Sequence, residues 1–217
     1  FRSPKNDNYH QVVKRCIELA PQRTGAIAQK AATLAENGHN VLVPVDRINH
    51  GKLIAHALLK SDKDRIEDSL VDEDDDDADE ILLKMKAADQ LPRIDTAEDT
   101  IHSYIDANAD DETREKHYNA LENGELDILI TTLIKEGADI PNISAIVHAE
   151  GGKSKTQRIQ RIGRALRPQN GDEAIIVDVQ DRGNFIGNHY SERMKLLNEY
   201  YGKYGPTQST DNTTRPL

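Results

Sequence analysis

Gln157-Arg158-Ile159-Gln160-Arg161-Ile162-Gly163-Arg164-Ala165-Leu166-Arg167-Pro168 is the stretch on which the reading of this chain turns. As a helix it sets Gln160, Arg164 and Arg167 at i, i+4 and i+7, so one face carries an amide and two guanidiniums. Ile159, Ile162 and Leu166 fall between them and anchor the opposite face to a core. Gly163 leaves room for a close approach by backbone or ligand. A row of planar, permanently charged forks suits a polyphosphate and the charge that develops on a transferring phosphoryl group. Alone, an Arg-rich helix reads more simply as a solvated basic face or a salt-bridge ladder. The segments before it reverse that preference.

Those segments alternate. Helical periodicity covers residues 9–19 and 24–37, the second run stopping at Gly38, and a short buried-strand pattern follows at 40–45. A helix is expected at about 49–60. Over 61–99 the pattern decays around the acidic run 72–80, whose self-repulsion opposes compaction, with a short helix expected at 81–88. Strands are expected at 101–105, 126–131, 144–148 and 174–179. Between them a helix capped by Asp110 or Asp111 runs to Glu122 and stops at Asn123-Gly124. The arginine stretch occupies a helix at about 154–166, and a last helix at 190–201 precedes the polar tail 206–217. Short apolar strands alternating with helices predict an α/β fold, a parallel sheet covered on both faces. The expected organisation is one domain over residues 1–205, with an acidic insert at about 61–99.

Ligands of such sheets bind beyond the carboxyl ends of the strands, and the suggestive residues gather there. Thr131 and Thr132 offer hydroxyls and amides to a phosphate, Gly137 permits a tight bend, and Asp139 accepts from a ribose hydroxyl or holds an arginine. The plainer reading is a loop in which Gly137 and Pro141 merely turn the chain. After strand 144–148 comes Gly151-Gly152-Lys153-Ser154, leading into the arginine stretch.

Composition narrows the class. The 217 residues suffice for one large or two small domains. Hydrophobic residues make up only 36%, lean for a globular core. A formal charge of −10 excludes a simple basic DNA-coating module and accords with a soluble protein of a salt-rich cell or its virus. The single Cys16 excludes a disulfide framework and a zinc ribbon; a buried thiol in an intracellular, cytoplasmic protein is expected. No apolar run approaches membrane-spanning length. The chain opens at Phe1 rather than Met, as expected of a fragment or processed product.

Taken together, residues 131–141 and 160–167 resemble motifs V and VI of superfamily 2 helicases and translocases, motors built of two RecA-like lobes. Gln160, Gly163, Arg164 and Arg167 meet the pattern Gln-x-x-Gly-Arg-x-x-Arg in full. Residues 40–45 with Arg47 and His50-Gly51-Lys52-Leu53 look like motif IV of the DNA-acting branch, which includes UvsW-type phage helicases, repair helicases and restriction motors. Val177-Asp178-Val179-Gln180-Asp181, followed by His189 and Arg193, is similar to the same branch.

The resemblance implies the second RecA-like lobe, of the P-loop NTPase kind, acting with ATP and Mg2+ and binding DNA in preference to RNA. It implies that Arg164 and Arg167 are arginine fingers reaching ATP held by the first lobe. Gln160 would lie near the nucleotide, Asp139 near the ribose with Gly137 allowing that approach, and Thr131 would couple nucleotide to bound strand. Arg161 would be structural. Backbone contacts would come from Arg47, Thr131, Thr132, Lys135 and Lys153, with Lys52 a further candidate; for each lysine plain surface solubility is the competing reading.

Two departures matter. Gly151-Gly152-Lys153-Ser154 lacks the opening glycine of a phosphate loop, since position 147 is Val. No Asp-Glu-x-Asp/His tetrad appears in the expected context, since the run 72–80 is low-complexity; as a calcium loop it fails too, with Asp77 where glycine is needed and Leu83 where a carboxylate is. The phosphate and magnesium chemistry is therefore expected from a first lobe, of the same or another chain, and this segment alone is expected not to hydrolyse ATP. Two other readings are a non-catalytic RecA-like lobe used for protein interaction or regulation, and an unrelated doubly wound nucleotide-binding protein. The second of these needs a Gly-rich loop after the first strand, and Pro44-Val45-Asp46-Arg47 is not one.

Overall fold

The computed structural model describes residues 8–58, 90–92, 94, 100–132, 143–151, 174–182 and 186–201. The acidic run, the helix expected at 81–88, the arginine stretch and the tail lie outside them. Asn8 opens the first helix, α1 (Tyr9–Val13), through a reciprocal cap: its side chain accepts from the Gln11 amide, and the Gln11 side chain accepts from its own, both at 3.0 Å. The helix continues into a π-helical turn, Lys14–Glu18, closed by the Leu19 amide on the Lys14 carbonyl at 2.8 Å. One helix was expected over this span; its widened last turn is a feature that periodicity does not reveal.

Helix α2 (Pro21–Glu36) begins three residues before the apolar pattern, because proline at the first helical position costs no hydrogen bond. It ends at the expected place. Gly38 takes φ +82°, its amide donates to the Ala35 carbonyl at 2.8 Å and the His39 amide to Leu34 at 3.1 Å. The same closure recurs after α4 (Asp111–Glu122), where Gly124 has φ +74° and the Glu125 amide donates to Ala120 at 2.9 Å. Of the two candidate caps for α4, the chain uses Asp110, which accepts from the Thr113 amide at 2.6 Å. That bond holds the Asp110 carboxyl below its ordinary pKa.

The strands are β1 (Val41–Pro44), β2 (His102–Ile105), β3 (Ile128–Thr131), β4 (Ala145–His148) and β5 (Ile175–Asp178), with α3 (Ile48–Ala57) after β1 and α5 (Ile186–Tyr201) last. They form one sheet in the order β2-β3-β1-β4-β5, every pairing parallel. Alternation along the central strands feeds two cores. Val41, Val43, Ile128, Ile130, Ala145 and Val147 face α2 and α3. Leu42, Leu129 and Ile146 face the opposite side, where Leu121 of α4 covers them. A third cluster joins α1 and the π-helical turn to the start of α5, with Val12, Cys16 and Ile17 against Ile186. That contact carries α5 back past the expected start at residue 190, over a glycine that reads locally as a breaker.

Leu42 is fully buried on the central strand. Leu42→Ala should cost about 2–5 kcal/mol in urea unfolding. At the α4 terminus, Asp110→Ala should lower the thermal midpoint while Asp110→Asn keeps most of it, since the amide oxygen can still accept.

Candidate functional site

From β1 the chain moves to one side of the sheet and from β4 to the other, so their carboxyl ends flank the topological switch point. The edge there is stitched one residue beyond the strands. The Val45 amide donates to Thr131 at 3.0 Å, Ala149 to Pro44 at 3.2 Å and Thr132 to Ile105 at 3.4 Å.

A buried ionic chain occupies the β4–β5 part of this edge. Arg23, in the first turn of α2, gives Nε and Nη2 to the two oxygens of Asp181 at 2.9 and 3.2 Å. Its third nitrogen, Nη1, donates to the Ala149 carbonyl at 2.8 Å. Arg193 of α5 grips Asp178 through Nε and Nη2 at 2.7 and 3.0 Å, and its Nη2 lies 3.9 Å from Asp181. Burial alone lowers the Arg193 pKa. The hydrogen bonds to Asp178 and the charges of Asp178, Asp181 and Glu150 outweigh it, and the net shift is upward.

The neighbouring backbone is held as tightly. His189 places Nδ1 3.3 Å from the Gly151 carbonyl; a carbonyl only accepts, so that nitrogen carries the proton. Tyr9 meets the His189 ring edge-on at 5.7 Å. A Cβ on Gly151 would collide with the Ile17 side chain, so the π-helical turn and the exit of β4 fit only because that residue is glycine. On the other flank, burial and then the Arg23 charge push the His50 pKa well below its usual value, and its Nε2 has no hydrogen-bond partner among the described residues.

The expected site residues fall as follows. Arg47 is exposed just past β1, at the N-terminal flank of α3. Lys52 is half-buried in α3. Thr131, the last residue of β3, is wholly buried. Thr132 is half-buried, with an Oγ1 that has no hydrogen-bond partner among the described residues. Lys135, Gly137, Asp139, Lys153, Gln160, Arg161, Arg164 and Arg167 lie outside the described residues. Of the residues picked out by resemblance, Asp178, Asp181 and Arg193 come together in one cluster, and His189 reaches the Gly151 carbonyl. Arg23 was missed. Its only local sign is a lone arginine in a helix otherwise rich in alanine and other small residues.

Among the described residues nothing cradles a triphosphate. The Arg23 and Arg193 forks are committed to carboxylates, and no group of three His, Cys, Asp or Glu could hold a metal ion. What the edge does chemically is fix backbone: it determines where the chain stands at Gly151, two residues before Lys153.

Comparison with known proteins shows what the chain is similar to. Residues 64–169 match the helicase conserved C-terminal domain. The "Putative helicase 22" of Sulfolobus islandicus filamentous virus is 34% identical over 125 residues, which is 56% of this chain and 22% of that protein. The ATP-dependent DNA helicase uvsW of Enterobacteria phage T4 is 25% identical over 173 residues, 79% of this chain and 27% of that one. The chain thus spans less than a third of these curated relatives. The crystal structure of T4 UvsW superposes with a TM-score of 0.55 at 22% identity, covering 90% of this chain and 36% of that one. The parallel sheet is accordingly of the RecA-like kind expected from the sequence.

Gly151→Ala should destabilise the chain by about 1–3 kcal/mol, and Ile17→Ala in the same chain should restore part of the loss. Burial keeps His50 neutral when folded, whereas the unfolded chain protonates it below about pH 6.5. Stability should therefore fall as pH drops through that value, and His50→Leu should flatten that slope in pH-dependent urea unfolding.

Proposed function

We infer, from a chain that carries a helicase C-terminal domain on a RecA-like sheet, that it is the second motor lobe of an ATP-dependent superfamily 2 DNA helicase or translocase. One observation carries this reading. The exit of β4 at the switch point leads at Gly151 into the sequence bearing Gln160, Gly163, Arg164 and Arg167, inside the span matched by the helicase family. A scaffold has no need of that row.

In this reading Arg164 and Arg167 supply positive charge to the phosphates of ATP and its Mg2+ held mainly by a first lobe. Gln160, Asp139 and Gly137 line the nucleotide side. Because the two lobes carry different parts of the machinery, turnover requires their approach, and closure becomes coupled to hydrolysis. The strand grip is through backbone phosphates, from Arg47, Thr132, Lys135 and Lys153, with buried Thr131 coupling β3 to that grip rather than touching the strand. DNA is favoured as the substrate because the T4 relative is named as a DNA helicase.

The 217-residue chain alone should show no nucleic-acid-stimulated ATP turnover, and should show it once joined to its first lobe. There, Arg164→Ala or Arg167→Ala should lower turnover by about 10³ with little change in DNA affinity. Robust hydrolysis by residues 1–217 alone would falsify the division of labour. Arg47→Ala should weaken DNA binding alike for all sequences and reduce the slope of log affinity against log salt by about 1.

A further inference from the structure

The backbone at the exit of β4 is held from three directions. The Ala149 amide donates to Pro44 on β1, the Ala149 carbonyl accepts from Arg23 on α2, and the Gly151 carbonyl accepts from His189 on α5. Ile17 closes the remaining side against Gly151. Arg23 and His189 lie far apart in sequence, and the link between their helices is the ionic chain itself. Arg23 binds Asp181, Arg193 binds Asp178, and Arg193 lies near Asp181.

Stability gives a weak reason for such a cluster. A buried ion pair is often no more stabilising than well-packed apolar residues of the same volume, because desolvation offsets the attraction. Geometry gives a better one. Arg23 serves both oxygens of one carboxylate and, with its third nitrogen, a carbonyl; a planar fork can do this and a lysine ammonium cannot. We propose that Arg23, Asp181, Arg193, Asp178 and His189 form a positioning device that fixes the Ala149 and Gly151 carbonyls and so sets the point from which the arginine-bearing stretch leaves the sheet edge. Its importance for turnover rests on the motor-lobe reading above; the fixing of the backbone does not.

Two variants test it in the 217-residue chain. Arg23→Lys keeps a cation beside Asp181 but loses the threefold grip. His189→Phe keeps a ring against Tyr9 but has no nitrogen for Gly151, and serves if the first variant fails to fold. Hydrogen exchange should accelerate about tenfold or more at residues 149–151 in each, while Val43 and Leu129 on the central strands stay within about twofold of the parent. Unchanged exchange at 149–151 overturns the proposal. So does uniform acceleration throughout the sheet, which would mean that the cluster supports only global stability. With the first lobe joined, kcat should fall at least about tenfold at an unchanged KM for ATP, the mark of a misplaced group rather than lost binding. Local acceleration with unaltered kcat supports the fixing of the backbone and overturns its importance for turnover. If the parent protein shows no turnover, the motor-lobe reading is what fails, and the exchange rates alone decide the backbone positioning.

Discussion

A guanidinium buried in the first long helix and a carboxylate just past the last strand hold this fold in register. Arg23 and Asp181 stand 158 positions apart and meet at 2.9 Å with both side chains almost fully excluded from solvent. Neither charge is tolerable there without the other, since an unpaired ion in so dry a place forfeits several kcal/mol of hydration. The seating of the first long helix and the turn after β5 are therefore coupled in the folded state. The Arg193–Asp178 pair extends the condition to the last helix. Folding and the shape of the sheet edge become one problem with one solution.

The sheet makes that edge possible. Its central strands are apolar on both sides, so helices must cover both, and parallel pairing sends every strand's carboxyl end to the same rim. Connections leaving β1 and β4 in opposite senses open the rim between them. Around this opening the packing leaves little latitude. Tyr104 lies where a side chain on residue 51 would be, and its hydroxyl stands 3.3 Å from the Ile48 carbonyl, which ties β2 to the start of α3. Asn49 reaches Glu18 in the π-helical turn at 3.4 Å. The start of α3 and the rim beside it are thus buttressed from behind.

Much of the architecture was legible beforehand. The strands at 40–45, 101–105, 126–131, 144–148 and 174–179 appear with ends trimmed by one or two residues. Gly38 and Gly124 end helices as their type predicts, both in the left-handed region. Other features were not readable. The choice of Asp110 over Asp111 depends on which residue keeps an extended backbone when the helix starts. The widened turn at Lys14–Glu18 and the early start of α5 meet in a contact between distant segments, with Ile17 and Ile186 in one cluster. Thr131 read as a residue offering its hydroxyl to a ligand, yet it is wholly buried at the end of β3.

Residue order alone settled the periodicities, the helix stops, the acidic balance and the spacing of Gln160, Arg164 and Arg167, because each follows from interactions within a turn or two of backbone. The order of the strands, the placement of β1 between β3 and β4, and the partner of Arg23 were settled only when distant segments packed. A lone arginine among alanines carries no local mark of the carboxylate it will meet. That meeting is dictated by the low dielectric of an interior, which exists only once the chain has closed around it.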